Sequence, residues 1–250
     1  MNQTVNIRTL VLSISFLCMS VWFFGCATDL PEESLSESSK TAVAGHEYIA
    51  PEDENYLNLS DIYLNSTDIP SGYELDEMDN LDNETIASDW PNVSEALIRY
   101  ESWGRIDGYD VEFSKEVYSD ADSVALFKDI AVACSSYTNA NGASEDYAFQ
   151  ELQGDLVNKN DVESLGGTQY AFNSTDDVYV GDDSFSTKTT YSQTLDNKNM
   201  TVTQRQVVFR RGSVVCNVSV TSYGGEPPKV SDLEFIANNQ DTLIEQAVRN

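Results

Sequence analysis

Histidine is almost missing from this 250-residue chain, which has one, His46. With a single imidazole, Ser-His-Asp and Cys-His nucleophiles have no base to activate them. Histidine-rich zinc sites are excluded for the same reason. Bases are scarce, 14 Lys and Arg against 42 Asp and Glu, for a formal charge of -28. Such a chain repels polyphosphate and cannot displace its counterions, so nucleic acid is excluded as a partner. No glycine-rich loop joins a strand to a helix, as phosphate binding would require. Cysteine is limited to four residues with no Cys-x-x-Cys, which removes thioredoxin-like redox chemistry. No long hydrophobic run is present either. The uncharged, mostly apolar stretch from Leu10 to Phe24 is shorter than the ~20 residues of a membrane-spanning helix.

That stretch has the length of a signal-peptide core, follows Arg8, and ends in Phe23-Phe24-Gly25-Cys26. It resembles a prokaryotic lipoprotein signal, in which a small residue precedes a cysteine that is acylated and becomes N-terminal. The resemblance implies a signal over residues 1–25 and lipidation at Cys26. Phe23 and Phe24 depart from the usual aliphatic-then-small pattern, and an uncleaved N-terminal anchor is the alternative. Either reading places the body at the cell surface or in the periplasm, tethered to a membrane.

Residues 26–67 read as an acidic, disordered, self-repelling linker, typified by Pro31-Glu32-Glu33-Ser34-Leu35-Ser36-Glu37. Between 27 and 92 there are 17 acids and one base, Lys40. His46 falls in this linker, a poor place for catalysis. The dense run from Asp76 to Glu84 invites comparison with an EF-hand. A loop counted from Asn80 has Thr85 sixth and Pro91 twelfth, where Gly and Glu are needed. Asp176, Asp177, Asp182 and Asp183 flank Val178-Tyr179-Val180 and form a weaker candidate oxygen cluster for calcium. Solvated surface acids are the plainer explanation of both runs.

A single domain is expected over residues 68–250, opened by the turn Ile69-Pro70-Ser71-Gly72. Val93, Ala96, Leu97 and Tyr100 have helical spacing. Trp103, Tyr109, Val111 and Phe113 share one strand parity, with Asp110, Glu112 and Ser114 on the other. Ser119-Asp120-Ala121-Asp122 resembles a capping box, and the apolar stripe behind it predicts a buried helix from Val124 to Cys134. A break at Asn139 to Gly142 precedes a shorter helix, Ala143 to Leu152. Phe185 and Tyr191, with Tyr179, lie in a long polar β run. A hairpin turn at 196–199, a strand Val202 to Phe209, and the tight turn Arg210-Arg211-Gly212-Ser213 follow. The next strand alternates Val214, Cys216, Val218 and Val220 with Val215, Asn217, Ser219 and Thr221. Ser231-x-x-Glu234 predicts the cap of a final amphipathic helix. The fold class is therefore α+β, a mostly antiparallel sheet with helices packed on it.

Cys134 and Cys216 each fall on an apolar face, one expected on a helix and one on a strand. In an oxidising compartment they are expected to form a disulfide, with two reduced core thiols as the alternative. Lys188, Arg205, Arg210 and Arg211 concentrate base in an acidic body, a candidate anion or partner contact or else a charge-balancing polar face. Trp103, Tyr109 and Tyr191 are candidates to line an apolar pocket, or core aromatics. Asn-x-Ser/Thr sequons occur at Asn58, Asn65, Asn83, Asn92, Asn173, Asn199 and Asn217, the last placed on the outer strand face as a glycan requires.

The segments Ile69-Pro70-Ser71-Gly72-Tyr73, Trp103-Gly104-Arg105-Ile106-Asp107-Gly108-Tyr109, Val180-Gly181-Asp182-Asp183-Ser184 and Val208-Phe209-Arg210-Arg211-Gly212-Ser213-Val214-Val215 resemble exported lipoproteins of the PsbP/Mog1-like and PknH-sensor-like sandwiches. The resemblance implies helices flanking an antiparallel sheet and an accessory, sensor or assembly role. The expected function is non-enzymatic binding by a membrane-tethered domain, with a protein or small-molecule ligand as partner and no cofactor except calcium as a candidate. Two alternatives remain open, a carboxylate-based extracellular hydrolase and a calcium-dependent interaction module.

Overall fold

The computed structural model describes residues 57, 59–88, 90, 92–118, 125–164, 166–175, 177–195 and 198–249. Seven strands make one sheet: β1 (Glu74–Asn80), β2 (Arg105–Tyr118), β3 (Ala125–Tyr137), β4 (Thr168–Thr175), β5 (Asp183–Leu195), β6 (Lys198–Arg211) and β7 (Val214–Tyr223). Their spatial order is β1-β2-β3-β7-β6-β5-β4, and every neighbouring pair is antiparallel. The helices are α1 (Asn83–Ser88), α2 (Val93–Trp103), α3 (Ala140–Ser164) and α4 (Val230–Arg249), with a 3-10 turn at Leu59–Ile62. The chain is α+β, as the strand-and-helix patterning predicts.

The two sheet faces differ in chemistry. On one, Tyr109, Val111 and Phe113 of β2, Ile130 and Val132 of β3, and Val218 and Val220 of β7 form a continuous apolar surface. Leu233, Ile236, Ala237 and Ile244 of α4 cover it, together with Leu59, Ile62 and Leu64. Each such side chain withdrawn from water contributes about 1.5–3 kcal/mol, so this layer is the main source of stability. Leu59, Ile62 and Leu64 lie upstream of the Asp68 boundary drawn from the sequence, yet they belong to the packed body.

The opposite face is polar in its middle, with the buried cross-strand row Tyr191–Val202–Tyr223 at one end and a second apolar cluster at the other. There Ile86 and Ala87 of α1, Ala96 and Tyr100 of α2, and Ala143 of α3 meet Tyr137, Val208 and Val215. α3 crosses this face in contact with β3, β7, β6, β5 and β4.

Several expectations are corrected. The segment expected as a buried helix ending at Cys134 is strand β3. Its Ile130, Val132 and Cys134 enter the main core while Ala131 is buried on the other face. A central strand covered on both sides carries small or apolar residues at both parities, which imitates a broad helical stripe. Ser119 to Asp122 lie outside the described residues. The break at Asn139 is instead a helix start, since Asn139 Oδ1 accepts from the Asn141 and Gly142 amides, and α3 runs to Ser164. Trp103 ends α2 rather than opening β2. Tyr179 lies in a loop and is exposed. The final helix begins at Val230, ahead of Ser231. The first part of the acidic run Asp76 to Glu84 belongs to the sheet-edge strand β1, where charged side chains discourage pairing with other chains.

Cys134 and Cys216 form the expected disulfide, but between adjacent strands. They are direct partners in the β3–β7 register, with Cα atoms 4.1 Å apart. The bridge links two central strands rather than a helix and a sheet.

The Trp103–Tyr109 segment is structural. Gly104 takes the left-handed conformation, φ 67°, that closes α2, its amide donating to Glu101 O. Arg105 is then buried, donating to Asn83 Oδ1 (2.7 Å), Leu81 O (2.7 Å) and Ser135 Oγ (3.1 Å). A Cβ at Gly108 would collide with that guanidinium and with Cys134 O. Tyr109 Oη donates to Ile62 O, tying β2 to the 3-10 turn.

Candidate ligand face of the sheet

Strand register builds a polar strip across the α3 side of the sheet. Glu77 of β1 pairs with Glu112 of β2, Glu112 with Ala131 of β3, and Ala131 with Ser219 of β7. Ser219 pairs with Gln206 of β6, Gln206 with Thr187 of β5, and Thr187 with Ser174 of β4. The row spans all seven strands with no apolar side chain larger than alanine. Because side chains alternate between faces, its position opposite the valine-rich core face follows directly. Glu112, Ala131, Ser219, Gln206 and Thr187 are all buried.

The β5–β7 half is hydrogen-bonded. Thr187 Oγ1 meets Gln206 Oε1 (3.4 Å), and Gln206 Nε2 donates to Asn217 Oδ1 (2.6 Å). Asn217 is consequently buried on a covered face, which corrects its placement as an exposed glycan acceptor.

The β1–β3 half is acidic. Asp79 stands opposite Asp110, Glu77 opposite Glu112, and Asp129 opposite Ser114. Asp110 and Glu112 are 5% and 4% exposed, and neither Asp110 Oδ1 nor Glu112 Oε1 has a hydrogen-bond partner. Burial pushes the Asp110 carboxyl up to about 7, helped by Asp79 and Glu77. Burial pushes Glu112 up to about 9, with Asp110, Asp129, Glu77 and Asp76 adding repulsion. Glu77, half-exposed on the edge strand, is also raised, first by burial and then by Asp79. Buried polar atoms are normally satisfied by protein, water or ligand, so these two oxygens are open to a further partner. Patterning could have found it: Asp110 and Glu112 have one parity on β2, but the sequence does not reveal that this parity is covered.

The two charge clusters selected from the sequence are brought together with each other. Arg205 Nη1 donates to Asp177 Oδ2 (2.9 Å). Arg210 Nη2 donates to Asp183 Oδ2 (2.6 Å), and Arg211 Nη1 to Asp182 Oδ1 (3.1 Å). Asp182 Oδ2 also accepts from the Gly212 amide (2.8 Å). The candidate anion contact and the candidate calcium ligands thus meet as ion pairs that hold the 177–183 loop on β6. Lys188, half-buried on β5, is paired in register with Arg205. Asp176 lies outside the described residues, as do His46 and Cys26. Among the described residues no three His, Cys, Asp or Glu side chains are grouped to hold a metal ion. No described helix is long and apolar enough to cross a membrane.

Trp103, Tyr109 and Tyr191 do not share a pocket. Tyr109 is in the main core. Trp103 packs with Phe149, at 5.6 Å between ring centroids, beside the Arg99 guanidinium, which also lies 4.5 Å over Trp90. Tyr191 is buried on β5, beside Gly167.

No protein-family model matches the chain, and a search of curated proteins finds no match. Among solved structures, the extracellular domain of PknH from Mycobacterium tuberculosis is similar, with a TM-score of 0.40 and 11% identity. That match covers 76% of this chain and 95% of the other. LpqN from the same organism, described as involved in cell envelope biogenesis, gives a TM-score of 0.28 and 14% identity over 70% of this chain and 78% of its own. The first of these is the extracellular domain of PknH, in line with the PknH-sensor-like resemblance drawn from the sequence motifs.

Proposed function

We propose that the protein is an extracytoplasmic lipoprotein, tethered through Cys26, whose folded body binds a polar ligand on the α3 side of its sheet without transforming it. The observation that carries the binding reading is the row from Glu77 to Ser174 with Asp110 beside it, and the unpartnered buried oxygens of Asp110 and Glu112 at its acidic end. Evolving such a face at the expense of apolar packing has a stability cost that a ligand would offset. The signal-like residues 1–25 and the acidic linker support the tether, and the cross-strand disulfide suits an oxidising compartment.

Two measurements test this. Mass spectrometry of the mature N-terminus should find an acylated Cys26, and a free chain starting elsewhere overturns the tether. Melting the solubilised full chain against a panel of small polar ligands should give a shift that Glu112→Gln abolishes. No shift with any ligand overturns the binding reading.

A second reading, a carboxylate-based hydrolase, is favoured by one observation. Glu112 stays protonated near neutral pH among other carboxylates, as a general acid must. Release of reducing sugar from envelope polysaccharides, lost in Glu112→Gln, would select it over the binding reading.

A further inference from the structure

We infer that the acidic half of the strip recognises an extended organic polycation, a molecule with two or more ammonium groups along a flexible chain. The inference rests on the binding reading and names its ligand class.

Four features of the acidic half point to such a ligand. The first is placement: Glu77 and Asp79 of β1, Asp110 and Glu112 of β2, and Asp129 of β3 lie on one face of three adjacent strands. Cross-strand partners have Cβ atoms about 4.5–5.5 Å apart, and residues two apart on a strand are separated by roughly 6.8 Å. Carboxylates directly opposite one another repel, so both members of Glu77–Glu112 and of Asp79–Asp110 can ionise together only beside an added positive charge.

The second is that, among the described residues, no Lys or Arg forms an ion pair with Glu77, Asp79, Asp110 or Glu112. Lys115 and Lys128 have the parity of the other face, and Lys115 Nζ donates to Ser71 O there. Arg105 is committed to Asn83, Leu81 and Ser135. Arg205, Arg210 and Arg211 are engaged by Asp177, Asp183, Asp182 and Asp241.

The third is burial: Asp110 and Glu112 are buried beside the half-exposed Glu77 and Asp79 of the edge strand, and each has an oxygen with no partner. The fourth is shape. The carboxylates follow the strands instead of converging, and among the described residues no group of three forms a metal site. A spread of carboxylates matches spaced ammonium groups better than one point charge.

Spermidine is the probe, titrated calorimetrically into the detergent-solubilised full chain at low and moderate salt. Binding is expected at one equivalent, weakened at least tenfold by the double variant Asp110→Asn/Glu112→Gln. The exposed Asp155→Asn on α3 should leave it unchanged. Both substitutions are isosteric and remove an ionisable carboxyl, and a thermal melt verifies that the double variant is folded. Undetectable spermidine binding, or binding equal in wild type and double variant, overturns the inference; the latter is diffuse counterion attraction. Calcium chloride and a neutral trisaccharide are run in parallel. If either binds, is lost in the double variant, and spermidine is silent, the polycation assignment falls while the binding reading stands.

Discussion

Glu77 and Glu112 face each other directly across the β1–β2 pair, two carboxyl groups on the same side of the sheet with Asp79 and Asp110 repeating the arrangement one step along. Burial of Asp110 and Glu112, with this repulsion added to it, has a measurable consequence. An ordinary carboxyl loses its proton near pH 4 in the unfolded chain, whereas Asp110 and Glu112 keep theirs in the native state to about 7 and about 9. Over that window the native state binds more protons than the unfolded one, so stability falls as pH rises from about 4. Below that range both states are protonated and no penalty arises. Asp110→Asn and Glu112→Gln should each stabilise the protein by about 2 kcal/mol at pH 8 and leave it little changed at pH 4. Urea unfolding at the two pH values is the measurement, and variants less stable than wild type at pH 8 would contradict the repulsion.

The disulfide joins residues 82 positions apart in sequence. In the chain-entropy model a loop of that length contributes about 4 kcal/mol. Cys134 and Cys216 are also fully buried in the main core, so Cys134→Ser/Cys216→Ser adds two buried hydroxyls to the loss of the bridge. Cys134→Ala/Cys216→Ala separates the contributions. The alanine pair should lose roughly 3–4 kcal/mol and the serine pair more, read from unfolding midpoints under non-reducing conditions.

Arg105 is a fixing point. Its guanidinium holds the β1–α1 connection through Leu81 O and Asn83 Oδ1 and reaches β3 through Ser135. Arg105→Lys retains charge but cannot reproduce the planar fork, and should still cost about 2 kcal/mol. Gly108→Ala attacks the same point from the other side, since its methyl would occupy the place of the guanidinium and press on Cys134 O. Both substitutions should lower the melting temperature by several degrees. Combined, they should fall short of additive, because each disrupts the same contact.

The sequence made the strand alternation of β7, the β6–β7 turn and the amphipathic α4 legible because each has one dominant period and, for β7, a clear apolar parity. It misled at β3, where burial on both faces erased the alternation. It was silent at β1, whose composition resembles a solvated acidic run and whose strand character comes from pairing with β2. The disulfide partners were legible from their apolar faces and the expected oxidising compartment, while their adjacency depended on the misread β3. The acidic half of the strip was visible as a parity, Asp110 with Glu112, but its burial is a property of the assembled sheet. Likewise Arg210 and Asp182 look like separate ligand clusters in sequence, and only the fold places one against the other.

Arg211 fastens α4 to the sheet. Its Nε and Nη2 donate to Asp241 Oδ1 and Oδ2 at 2.7 and 2.5 Å, a bidentate pair, while Nη1 reaches Asp182. Asp241 raises the guanidinium above its ordinary range, chiefly by that hydrogen bond and then by its charge. Asp241 is on the turn of α4 just before Ile244, whose side chain is in the main core. Loss of the pair should therefore loosen the C-terminal half of α4 more than its start. Arg211→Gln should cost about 1–2 kcal/mol, a large part of it from leaving Asp241 without its partner. Asp241→Asn restores neutrality in the double variant, which should recover part of the loss. Hydrogen exchange reads the location: amides of 241–249 should lose protection before those of 230–237. Uniform loss along α4 would mean that apolar packing, not the ion pair, holds its C-terminal half.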